Sequence, residues 1–196
     1  MAKYDDEILA RLMDIAYRHR NCVRECDDII SLCPKKLMSR GIDLYGMFFP
    51  DMEISKYITY KGRLTKNEKF KHYEYFFDEQ GRLRLTKRYG DKVNDNRKLL
   101  NIIFYYYHDN YVEIVWYSTS ENDVCITGFL DYENGKLAKF VEADAIAQNL
   151  RHNQCADTYH EFLFNVDDEF VIRRGYSTFI GSKDKPWESV SKFRKH

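Results

Sequence analysis

From residue 4 to about 32 the chain repeats apolar positions at spacings of three and four. Ile8, Leu12, Ile15, Ala16, Val23, Cys26 and Ile30 carry the pattern, with charged residues between them. That is the period of an amphipathic helix. Asp5, Asp6 and Glu7 fall in the first turn, where the helix dipole favours negative charge. Asn21 is a candidate break into two helices, and Pro34 ends the pattern. Residues 34–53, with Gly41, Gly46 and Pro50, read as a connector.

From about residue 54 the period changes from 3.6 to 2. Candidate strands lie near 54–60, 70–78, 82–89, 99–108, 111–118, 123–131, 136–141, 158–166 and 169–176. Short polar links separate them: Lys61-Gly62, Glu79-Gln80-Gly81, Asp109-Asn110, Glu133-Asn134-Gly135 and Asp167-Asp168. Such links are what antiparallel hairpins need. Residues 142–151 read as a short helix, and the segment from Ser182 as a polar tail with Lys185-Pro186-Trp187 inside it. The expected fold is α+β, as a single domain over 1–196. A helix or helix pair (1–33) packs on a large twisted antiparallel meander (54–180), which is open or partly closed.

Composition supports strands. Of 196 residues, 16 are Tyr and 13 are Phe, and both favour a pleated, half-buried surface. The segment MAKYDDEILARL has no basic-then-apolar leader pattern, and no apolar run approaches a membrane span, so a cytoplasmic location is expected. Five Cys without a leader are expected to be reduced thiols.

The turns echo one another. Gly62-Arg63-Leu64 returns as Gly81-Arg82-Leu83 and as Gly135-Lys136-Leu137, each after an aromatic-rich strand. An aromatic strand ends, Asp or Asn bonds the turn backbone, Gly takes the left-handed position, and a basic–apolar strand returns. An antiparallel meander of any origin also arrives at such turns. The stretch Phe77–Leu83 resembles the YD-repeat pattern of bacterial Rhs-type proteins. Small strand proteins of this kind look similar to the immunity proteins of bacterial polymorphic-toxin systems. That resemblance implies a protein that binds a cognate toxin domain and blocks its active site.

The formal net charge of zero hides a segregation. Residues 61–98 hold 12 basic and 6 acidic side chains, whereas residues 99–170 hold 3 basic and 13 acidic. Internal pairing of basic with acidic strands is one outcome. The other is an outward carboxylate-rich face, including Asp109, Glu113, Asp123, Asp131, Glu133, Asp167 and Asp168. Tyr107, Tyr111, Trp116 and Tyr132 are interleaved with it. Aromatic anchors inside a charged surround suit a basic protein partner and repel nucleic acid. Under the resemblance above, that partner would be a toxin domain such as a nuclease with a basic groove. The expected partner-binding residues are therefore Tyr107, Asp109, Tyr111, Trp116, Asp131, Tyr132, Glu133, Asp167 and Asp168.

Other chemistries have thinner support. Cys22, Cys26, Cys33 and His19 lack the two close pairs of a structural zinc site. His152 and His160 flank Cys155 without an oxyanion-hole signature. No phosphate-binding Gly-rich loop or hydrolase elbow occurs. The basic stretch 61–98 carries Phe70, Tyr73, Tyr75, Phe76, Phe77 and Tyr89, the ingredients of a single-stranded nucleic-acid module. The expectation is a binding protein with no catalytic or metal-binding residues and no cofactor. The alternatives are that nucleic-acid module and an enzyme whose site has no recognisable motif.

Overall fold

The structure is a computed structural model. It describes residues 6–41, 63–93, 96–144, 158–165, 170–177 and 187–192. The fold is α+β: helical segments come first, and an antiparallel meander follows. Two compact units divide the chain: Met1–Arg20, Tyr106–Trp116 and Asp123–Arg194 in the first, Asn21–Tyr105, Tyr117–Asn122 and Lys195–His196 in the second.

In the first unit, helix α1 (Asp6–Arg18) is followed at a distance in sequence by β6 (Tyr111–Ser118, through Trp116), β7 (Asp123–Glu133), β8 (Lys136–Asp144), β9 (Thr158–Asn165), β10 (Phe170–Ser177) and β11 (Trp187–Lys192). Strand order follows chain order, and the pairings β7–β8, β8–β9, β9–β10 and β10–β11 are antiparallel. Ile8, Leu12, Ile15 and Ala16 of α1 are all buried, at 9% exposure or less. These are the i, i+4, i+7, i+8 positions of one helix face. They pack against β7 on the side that carries Thr127 and Phe129, and Thr127 Oγ1 donates to the Leu12 carbonyl at 3.5 Å. Ile8, Leu12 and Ile15 each contribute roughly 1.5–3 kcal/mol on burial, and Ala16 less.

In the second unit a 3-10 turn (Cys22–Glu25) and helix α2 (Cys26–Ser31) precede β1 (Lys35–Arg40), β2 (Arg63–Leu64), β3 (Tyr73–Phe77), β4 (Leu83–Val93) and β5 (Asn96–Tyr107, through Tyr105). The order here is β2-β1-β3-β4-β5, all antiparallel. Strand β1 therefore sits between β2 and β3. All five residues of β3 are buried. Neither β2 nor β11 has a second strand partner among the described residues.

Asn21 does mark the break between the helical segments. Two sequence expectations are corrected. The connector predicted at 34–53 contains strand β1, which carries no clean alternation because its partners are tertiary. Lys36 Nζ lies 2.6 Å from Glu74, Lys35 and Lys36 lie over the rings of Phe77 and Phe76, and Ser39 Oγ is 3.0 Å from the Tyr75 hydroxyl. The helix predicted from 142 begins instead as strand: β8 runs to Asp144, where Asp144 pairs with Ile126 and Thr158. The predicted strand at 54–60, the rest of the predicted helix and the Cys155 segment lie outside the described residues. No helix among the described residues is long and apolar enough to cross a membrane.

The turn chemistry follows the sequence closely. Asp78 Oδ1 accepts from the Arg82 amide at 2.9 Å, and Gly81 sits at φ +77°. In the β7–β8 hairpin Asn134 and Gly135 adopt φ +52° and +76°, the pair of positive values that a two-residue Asn-Gly loop requires.

Candidate functional site

A concavity of about 540 Å³ opens in the first unit, lined by Arg11, Asn110, Tyr111, Asp131, Tyr132 and Glu133. Three local features build it. The turn after β5 closes with the His108 amide donating to the Tyr111 carbonyl at 2.9 Å, which exposes Asp109 and Asn110. The Asn110 carbonyl accepts from the Tyr132 amide at 2.9 Å, tying that turn to the end of β7. The β7–β8 register then slips at Asp131/Tyr132: Asp131 faces Lys139 and Tyr132 faces Leu137, so Ala138 is passed over. A bulge of this kind re-aims side chains. Here three consecutive residues, Asp131, Tyr132 and Glu133, line one hollow, which strict alternation forbids.

Arg11 forms the floor. Its Nη1 and Nη2 donate to Asp131 Oδ2 and Oδ1 at 2.9 and 2.8 Å, and its guanidinium carbon lies 3.7 Å from the Phe129 ring centroid and 4.9 Å from that of Tyr111. Glu133 and Asp109 are exposed and make no ion pair among the described residues. The hollow thus has a neutralised floor and a negatively charged, Tyr-bearing rim.

Two helical turns further along, Arg18 grips a second carboxylate. Glu113 is 1% exposed. Its two oxygens accept from Arg18 at 2.7 and 3.1 Å, and Oε2 also accepts from His19 Nε2 at 2.9 Å, with His108 Nε2 at 3.5 Å. An ionised carboxylate only accepts, so His19 donates from Nε2. Burial pushes the Glu113 carboxyl up, but the hydrogen bonds from His19 and Arg18 outweigh it and hold it at about 2. Such a group stays ionised near neutral pH and acts as an anchor for α1 rather than as a proton carrier.

The expected partner-binding residues separate accordingly. Tyr111, Asp131, Tyr132 and Glu133 come together in the hollow. Asp109 is exposed at its turn, and Tyr107 is half-buried at the end of β5. Trp116 is a correction: at 4% exposure it belongs to the core, because residues 112–118 of β6 are all buried. Asp167 and Asp168 lie outside the described residues. The outward acidic face is also narrower than expected, since Glu113 and Asp123 are buried. Asp131 and Glu113 are neutralised by Arg11 and Arg18 of α1.

Sequence reasoning missed Arg11 and Asn110. Arg11 and Arg18 each follow a buried Ile by three residues and stand seven apart, so both border the apolar stripe of α1 two turns from one another. That spacing was the available signal.

In the second unit Lys71, Arg82 and Arg84 of the basic segment, with Lys36 of β1, pair internally with carboxylates. Glu74 is buried against Lys36, Lys71 and the Tyr89 hydroxyl. Burial raises its carboxyl, and these hydrogen bonds bring it down to about 2. Arg82 and Arg84 face Asp78 at 2.8 and 3.6 Å. Tyr73, Tyr75, Phe76 and Phe77 are buried, which leaves Phe70 as the exposed ring of that stretch among the described residues. Cys22 and Cys26 are buried too, and burial drives the Cys22 thiol up to about 12. No His, Cys, Asp and Glu group among the described residues has the geometry to hold a metal ion.

Compared with family models, curated proteins and solved structures, the chain finds no match in any of the three.

Proposed function

We propose that this chain is a non-enzymatic binding protein that seats a cationic side chain of a basic protein partner in the hollow between the β5–β6 turn and the end of β7. The observation that carries the reading is Glu133: an exposed carboxylate without an ion pair among the described residues, sharing one concavity with Tyr111 and Tyr132. Aromatic rings beside an unneutralised charge are the usual make-up of an interface anchor, and the charge steers an opposite partner toward it. The resemblance of Phe77–Leu83 to YD repeats supports a more specific form: an immunity protein in the cytoplasm that neutralises a toxin domain, with a nuclease of basic groove as the fitting chemistry. The burial of four aromatic rings and the internal pairing of Lys36, Lys71 and Arg82 weigh against the nucleic-acid reading.

The test is co-expression with the product of the adjacent gene. Rescue of growth and co-purification are the expected results. Glu133→Lys with Asp109→Lys should slow association about tenfold or more at low salt, with a smaller change in dissociation. An unchanged association rate would remove this hollow from the interface.

A further inference from the structure

The environment of Arg11 is that of a recognition site with its ligand in place. The Asp131 carboxylate takes the guanidinium fork through two parallel bonds at 2.9 and 2.8 Å. Phe129, itself 1% exposed, presents a fixed ring 3.7 Å away, and Tyr111 presents a second at 4.9 Å. A carboxylate fork combined with aromatic faces selects a planar guanidinium over a compact, strongly hydrated ammonium. The site is not sealed: the side chains of Arg11 and Asp131 keep 33% and 31% exposure, and the hollow opens directly beside them. Glu133 adds a carboxylate to that hollow beyond the one Arg11 neutralises.

We propose that Asp131, Phe129 and Tyr111 form an arginine-recognition box, that Arg11 fills it in the free protein, and that an arginine of the basic partner takes its place. Exchange of one guanidinium for another breaks and remakes the same bonds. The free-energy difference between the two states is then set by what remains, and Glu133 is placed to balance the second positive charge. The identity of the incoming group rests on the partner reading above; the selectivity of the box does not.

The experiment uses the full chain with Arg11→Ala, its fold checked by circular dichroism, titrated with N-acetyl-arginine amide and N-acetyl-lysine amide. The arginine probe should bind saturably, at least about tenfold tighter than the lysine probe, and Asp131→Asn in the same background should abolish it. The native chain should bind the arginine probe at least about tenfold more weakly, with a shift of the Arg11 side-chain Nε–H resonance. A folded Arg11→Ala chain that binds neither probe, or both equally, overturns the box. Binding to the native chain that leaves the Arg11 resonance unmoved overturns the exchange. If Arg11→Ala does not fold, Arg11→Met keeps the aliphatic stem and is read in the same way. Absence of growth rescue with the box intact would count against the toxin partner alone.

Discussion

Arg18 and Glu113, 95 residues apart in sequence, form a two-bond ion pair in which the carboxylate is buried and the guanidinium is partly open to solvent. The pair fastens the end of α1 to β6 inside the first unit. Its acid sensitivity has a definite sign. The Glu113 carboxyl is held at about 2 in the folded chain against an ordinary value of 4.5. A lowered folded value contributes stability that is fully present above the unfolded value and is lost as pH falls from about 5 toward 2. The contribution is on the order of 2–3 kcal/mol. Glu113→Gln should therefore lower stability at neutral pH and flatten the acid limb of a plot of unfolding free energy against pH. An acid limb as steep as that of the native chain would show that Glu113 is not the group responsible.

Glu74 gives a second, independent acid-sensitive site, because it is buried among Lys36, Lys71 and Tyr89. Its carboxyl is also held at about 2, so the stability it adds is lost over the same window as pH falls. Glu74→Gln leaves two lysines facing a neutral amide and should cost about 2–4 kcal/mol at pH 7. Urea midpoints at pH 7 and pH 3 measure it, with the gap from the native chain expected to shrink at pH 3.

Gly128 lies where β7 passes close to β8. A Cβ there would meet the Val141 carbonyl oxygen at 2.6 Å, a backbone atom held in the ladder. Gly128→Ala should destabilise the chain by about 1–3 kcal/mol, read as a fall in the urea midpoint at constant slope. A change within error would mean that the ladder gives way at little cost.

At the β3–β4 turn the cost is conformational rather than steric. Gly81 has φ +77° with open space around its Cα. Gly81→Ala should cost about 1–2 kcal/mol through the left-handed backbone alone, and Gly81→Asn less. Equal losses for Ala and Asn would argue against that origin.

Thiol reactivity should grade with burial. Cys22 has no exposed surface and a thiol raised to about 12, whereas Cys33 is half-buried. Native-state alkylation followed by peptide mapping should label Cys33 well before Cys22. Early labelling of Cys22 would show that the helical segment opens readily.

The sequence by itself determined the elements whose causes are local. The apolar stripe Ile8–Leu12–Ile15–Ala16 made α1, Asn21 ended its run, and Asp78 with Gly81 and Asn134 with Gly135 made their hairpins. In each case the residues that decide the structure lie within a few positions of one another. Tertiary structure decided the rest. Strand β1 exists because Glu74, Phe76 and Tyr75 receive its lysines and serine, partners more than thirty residues away. The acidic segment was legible as a charge imbalance, but which carboxylates stay free was not. Asp131 and Glu113 are claimed by arginines of α1 more than ninety residues earlier, and Glu133, in the same hollow as Asp131, has no ion pair among the described residues. A sequence records how many charges a segment carries. Only the packing of α1 on the strands fixes which of them have already met an opposite charge.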